Sequence, residues 1–347
     1  MRHRSRTGKE TMKKNYVTVA LVFFAAIGFL IFNFSDRSSA VVYSDSDASF
    51  NRAYWNERIQ RTGPEKTYQE FLEKNTSAPY TRQHNATHVI GELFYEHRGV
   101  EGIVFCDPSF GFGCFHGFFG FALATEGETL VEALDQACID AYGPLGTGCQ
   151  HGIGHGLLAY LGYDRLVDAL RLCEKTTQLV PLLGCTSGVY MEHNTPLVSG
   201  EGNIQPAPLP FDEANPYSSC PGVPERFQQS CYFEIGSWWM QVSGKTPSEL
   251  GALCAALENE ENRSACARGL GNFLSFTTEY DAQKAVETCS AIVNPDVSLM
   301  CRAGVAWGFF SNPLYTERSA EPCDGLSKID RDRCIRASDL TEGLHGT

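Results

Sequence analysis

The sequence predicts an all-α protein: a right-handed α/α solenoid of about seven to eight disulfide-stapled helical hairpins, preceded by one transmembrane helix. Three observations predict it. Fourteen cysteines fall into seven successive pairs. The segments around those pairs carry helix signals at a fixed register. A 19-residue apolar run, Tyr16 to Phe34, follows a basic tip.

The amino terminus comes first. Arg2, Arg4, Arg6, Lys9, Lys13 and Lys14 precede the apolar run, which only Thr18, Gly28 and Asn33 interrupt. About 20 such residues span a bilayer. The positive-inside rule then leaves residues 1–15 in the cytoplasm and the body outside. Residues 16–34 would contact membrane lipid as an uncleaved signal anchor. Secretion after cleavage near Ala40, at Ser38-Ser39-Ala40, is the alternative. Residues 35–50 are rich in Ser and Asp and read as a linker. Residues 51–347 form the extracytoplasmic domain.

Charge narrows the function classes. The chain has 347 residues and a net charge of −13. The first 14 residues contribute +5, so the rest carries −18. Nucleic-acid binding wants a basic face, so no nucleic-acid partner is expected. An even number of regularly spaced cysteines implies disulfides and an oxidising compartment. No C-x-x-C occurs, which speaks against a zinc ribbon.

The pairs are Cys106/Cys114, Cys138/Cys149, Cys173/Cys185, Cys220/Cys231, Cys254/Cys266, Cys289/Cys301 and Cys323/Cys334. Their second members recur at intervals of 35, 36, 46, 35, 35 and 33 residues. A period in this range marks an array of supersecondary units. In four units a helical segment is expected to end on the first cysteine: Glu128 to Cys138, Asp164 to Cys173, Thr246 to Cys254 and Asp281 to Cys289. Thr246-Pro247-Ser248-Glu249 is a capping box with proline at the first helical position. The second cysteine is expected to open the next helix. Three residues later stands Gly117, Gly152, Gly188, Gly269 or Gly304, with Glu234 and Ala337 as exceptions. Recurrent glycine at one register points to close helix–helix approach. Joining the cysteines within each pair is the simplest connectivity, because every unit then carries the same local staple. Stacked hairpins would form a curved array with a concave and a convex face.

The period and cysteine rhythm, as in Leu183-Gly184-Cys185 and Thr147-Gly148-Cys149, resemble the tetratricopeptide-like superfamily over about residues 80–340. The closest similarity is to its secreted cysteine-rich branch, where disulfides bridge the helices of roughly 36-residue units. The cysteines here lie further apart, and the usual Leu-Gly and Tyr positions are not met. The resemblance bears on fold and not on function. The 46-residue interval carries a Pro/Gly-rich insertion at 194–224, expected to be a surface loop or a lid.

Seven of the nine histidines fall between residues 84 and 193. Gln83-His84-Asn85-Ala86-Thr87-His88 matches Gln150-His151-Gly152-Ile153-Gly154-His155 at Gln, His and His. This places His84 in the register of His151 and adds a degenerate, cysteine-free first unit. His116 follows Cys114 by two residues, as His151 follows Cys149. Histidines at i and i+4 share a helix face, and packed helices lie about 8–10 Å apart. His84, His88, His116, His151 and His155 are therefore the expected metal ligands, converging on the concave face. Imidazole suits zinc, copper or iron. If the site is catalytic, an open position would activate water or dioxygen, with Glu92 or Glu192 as base. Tyr190 and His193 fall near the same region, and His97 fits no register and reads as a surface residue. The structural alternative is buried, hydrogen-bonded histidines at a packed interface. The functional alternative is a non-enzymatic scaffold whose concave face binds a protein or peptide.

Overall fold

Two helices that the cysteine pattern does not mark come first among the described residues. The computed structural model describes residues 49–143, 146–177, 182–196, 207–312 and 315–339, all within one contact unit, Val42–Thr347. The apolar run at 16–34, the linker to residue 48 and residues 197–206 of the insertion lie outside the described residues. Among the described residues, no helix is long and apolar enough to cross a membrane. Helix α1 (Arg52–Thr62) starts where Asn51 accepts a hydrogen bond from the Tyr54 amide at 2.9 Å. Helix α2 (Pro64–Asn75) has proline in its first turn, where no amide is needed. Trp55, Ile59, Tyr68 and Phe71 bury the shared face of the pair.

The cysteine-linked units follow. Helix α3 (Tyr80–Arg98) leads into α4 (Ser109–Glu126), then α5 (Val131–Tyr142), α6 (Thr147–Leu161), α7 (Leu166–Leu172) and α8 (Cys185–Asn194). After the insertion come α9 (Glu225–Val242), α10 (Pro247–Ala255), α11 (Glu260–Thr277), α12 (Ala282–Ser290), α13 (Pro295–Ser311) and α14 (Lys328–Ser338). All seven disulfides join the two cysteines of one pair, with Cα–Cα distances of 5.4 to 5.8 Å. No cysteine is free.

The cysteine-free α3 and the helices carrying the second cysteines pack on one another in chain order: α3 on α4, then α6, α8, α9, α11, α13 and α14. The repeated glycines explain the closeness. A Cβ on Gly117, Gly188, Gly269 or Gly304 would collide with the carbonyl oxygen of His88, His151, Phe233 or Arg268 on the preceding helix. Gly152 instead meets the Phe119 ring, 2.6 Å from where its Cβ would stand.

Some helix ends differ from the sequence expectation. The capping box at Thr246 forms as expected. Helices α11, α13 and α14, however, begin six residues before their cysteines. Their caps are Asn259, Asn294 and Ser327, whose side chains accept from amides two or three residues on. Helix α5 runs four residues past Cys138. The described part of the insertion is tied down: the Trp238 indole donates to Leu209 O at 2.7 Å and that of Trp239 to Pro216 O at 2.6 Å.

Candidate metal centre

The glycine contacts define the true register of the first unit. Gly117 faces His88 as Gly188 faces His151, so His88 is the equivalent of His151. Ala86, fully buried, then stands where later units carry their second cysteine. The sequence alignment of His84 with His151 is therefore off by one helical turn. The Gln-His match rests on local spelling, whereas the register is set by backbone contact between α3 and α4.

All five predicted histidines come together. His84, His88, His116 and His155 are buried and His151 is nearly so. They form two three-histidine groups, His84/His88/His116 and His116/His151/His155, each with its ligand nitrogens within 4.8 Å of one another. Rings stand 4.9 Å apart for His84–His88, 5.0 Å for His84–His116, 4.2 Å for His116–His155 and 4.8 Å for His151–His155. Both groups lie inside the helix stack rather than on an open face. Glycine brings the backbones so close that side chains beside the seam are enclosed by the next helix.

Their hydrogen bonds dictate tautomers. His84 Nδ1 lies 3.0 Å from the carbonyl oxygen of Phe110, which can only accept. His155 Nδ1 lies 2.8 Å from Glu192 Oε2, and Tyr163 donates to the other oxygen of that carboxylate at 2.7 Å. His151 Nδ1 lies 2.7 Å from Ser187 Oγ, which itself donates to Glu234 Oε1 at 2.8 Å and so accepts from the ring. Each of these rings carries its proton on Nδ1 and presents a lone pair at Nε2. Yet His151 Nε2 and His155 Nε2 are only 3.0 Å apart. His84 Nε2 is 3.2 Å from both His88 Nε2 and His116 Nδ1. The tautomers of His151 and His155 set two lone pairs face to face, which calls for a cation between them.

A proton is a poor candidate for that cation. Burial lowers the affinity of every one of these rings for a proton, to about 4 for His151 and well below the ordinary value for His88, His116 and His155. Neighbouring imidazoles lower the last three further. A metal ion fits: neutral imidazoles present converging lone pairs, and carboxylate or carbonyl partners hold the other nitrogen.

Local backbone supports the arrangement. Phe110, Gly111 and Phe112 interrupt the start of α4 in left-handed conformation, with φ of 50, 66 and 66°. That is costly for a bulky residue, roughly 1–2 kcal/mol each. The turn aims the Phe110 carbonyl at His84.

The two predicted acids part company. Glu192 is fully buried against His155, where it orients the ring. Glu92 lies outside both groups: Arg52 of α1 takes its carboxylate at 2.5 Å and Glu96 at 2.8 Å. His97 bonds Asn56 Oδ1 at 2.6 Å. His193 bonds the Tyr163 backbone, and among the described residues its Nδ1 and the Tyr190 hydroxyl meet no hydrogen-bond partner. Ser187, Glu234 and Phe110 belong to the centre but were not anticipated. Two had a signal. Ser187 occupies the register of His116 and His151, two residues after its cysteine. Glu234 is an exception to the glycine rule. Burial pushes its carboxyl up to about 8, against the lowering effect of the Ser187 bond.

No protein-family model, curated protein or solved structure matches the chain.

Proposed function

We propose that this is an extracytoplasmic metal-binding helical repeat protein that holds a transition metal (zinc, copper or iron) in an all-imidazole centre. The observation that carries this reading is the pair of Nε2 lone pairs of His151 and His155, 3.0 Å apart, each ring held by a partner on its far side. Seven disulfides support an oxidising compartment. In this reading the stacked hairpins form a right-handed solenoid, and residues 16–34 anchor it to the membrane with the tip inside. When bound, the metal supplies Lewis acidity or redox capacity. His151, the least buried of the five, marks the side from which solvent reaches the centre.

The test is elemental analysis of the purified, oxidised full-length chain beside a His151→Ala/His155→Ala variant. Tightly held transition metal in the wild type, diminished in the variant, is expected. No metal in either, and no uptake of zinc, copper or iron, would sink this reading and return the histidines to packing roles. A scaffold that binds a protein or peptide would then be the better account.

A further inference from the structure

The division of the histidines into two groups with one shared member has a chemical consequence. Nitrogens bound tetrahedrally to one ion at about 2.0–2.1 Å stand roughly 3.3 Å apart. The contacts within the groups, 3.0 Å for His151–His155 and 3.2 Å for His84–His88 and His84–His116, are close to that spacing. The five nitrogens do not share one such span; they form two sets that overlap at His116. An imidazole nitrogen has one in-plane lone pair and serves one ion. His116 Nδ1 faces His84, so only Nε2 is left for an ion held with His151 and His155.

We infer that the chain holds two divalent transition-metal ions, one with His84, His88 and His116 and one with His116, His151 and His155, bridged by the His116 imidazolate; this rests on the metal-binding function proposed for these histidines. The first ion takes the Nδ1 lone pair and leaves Nε2–H on the ring. Binding of the second breaks that N–H bond, forms the Nε2–metal bond and releases the proton to solvent. The imidazolate and Glu192 behind His155 set two negative charges against four positive.

Copper(II) distinguishes the possibilities, because two such ions joined by an imidazolate couple their spins. The full-length oxidised chain would be titrated with copper(II), counting copper per chain by elemental analysis and unpaired spins by low-temperature electron paramagnetic resonance. Two ions per chain are expected, with the spin count falling to a small fraction of the copper as the second binds. The His151→Ala/His155→Ala variant should hold one ion with its full spin. Saturation of the wild type at one ion, or two ions with undiminished spin, overturns the bridge and leaves metal binding standing. No copper bound at all overturns both.

Discussion

Ser187 touches no metal group, yet it decides which nitrogen His151 presents. It accepts from Nδ1 and donates to Glu234. Ser187→Ala removes the hydroxyl that accepts from Nδ1, leaves the Leu183 carbonyl as the ring's other partner and eases a shift of the proton to Nε2, which closes that lone pair to a metal. Partners of this kind are worth about 10–100-fold in metal affinity. We expect Ser187→Ala to weaken zinc binding by about that factor in a chelator-competition titration while helix content by circular dichroism stays unchanged. Unchanged affinity would mean that the tautomer is fixed otherwise. His116 and His151 are legible at this scale from their shared register, whereas His88 joins that register only in the structure and His155 stands one turn beyond it. His84 is legible only as a histidine, since its true position is one turn before the repeat register. Its partner, the Phe110 carbonyl, is set by three left-handed residues that no sequence pattern here announces.

At the scale of the element, the glycine seam is the device that brings histidines of neighbouring helices into one cluster. Gly188 meets the His151 carbonyl, and a Cβ there forces α6 and α8 apart. Gly188→Ala should destabilise the protein by about 3 kcal/mol or more, since the obstacle is backbone rather than a side chain that can turn away. Gly222→Ala, at an exposed residue with nothing within 4 Å of the added methyl, should stay within about 0.5 kcal/mol of wild type. Urea unfolding midpoints compare the two; equal effects would remove close approach as the reason for the repeated glycine. The capping box of α10 reads directly from Thr246 and Glu249, because both partners sit within one turn. The starts of α11, α13 and α14 are set by the caps Asn259, Asn294 and Ser327 and not by the cysteine, which lies six residues inside the helix. Helices α1 and α2 carry no cysteine, so the repeat could not reveal them.

Across the whole molecule, the buried histidines couple stability to pH. Their proton affinities are lowered in the folded state, so between about 6.5 and the folded values the unfolded chain binds more protons. Stability is then present above about 6.5 and is lost as pH falls, by up to about 1.4 kcal/mol per pH unit for each such histidine. Glu234 acts in the opposite sense. Its carboxyl is held up near 8, so its contribution is full below its unfolded value and fades as pH rises toward 8. The metal-free protein should therefore be most stable near pH 6.5, with a steep acid limb and a shallow alkaline one. Chemical denaturation from pH 4.5 to 8.5 in the presence of a chelator checks this, and Glu234→Gln should flatten the alkaline limb. Stability that is flat from pH 7 down to 5 would show that the histidines are not buried as described. Bound metal adds stability of its own, about 2.7 kcal/mol at a free concentration one hundred times Kd.

The sequence by itself determined the seven staples, the all-helical repeat and the glycine seam. Each staple links residues at most 12 apart, and the seam repeats at one position in every unit that has it. Local spacing is enough to specify contacts of that range. Only the tertiary structure decided that His88 is the partner of the His151 register, that Glu192 serves a ring while Glu92 goes to Arg52, and that Ser187 and Glu234 stand behind His151. The Gly117–His88 contact spans 29 residues and the side-chain pairings span 36 to 47. They depend on how far each helix slides along its neighbour before a backbone carbonyl meets a glycine, a distance that no single helix encodes.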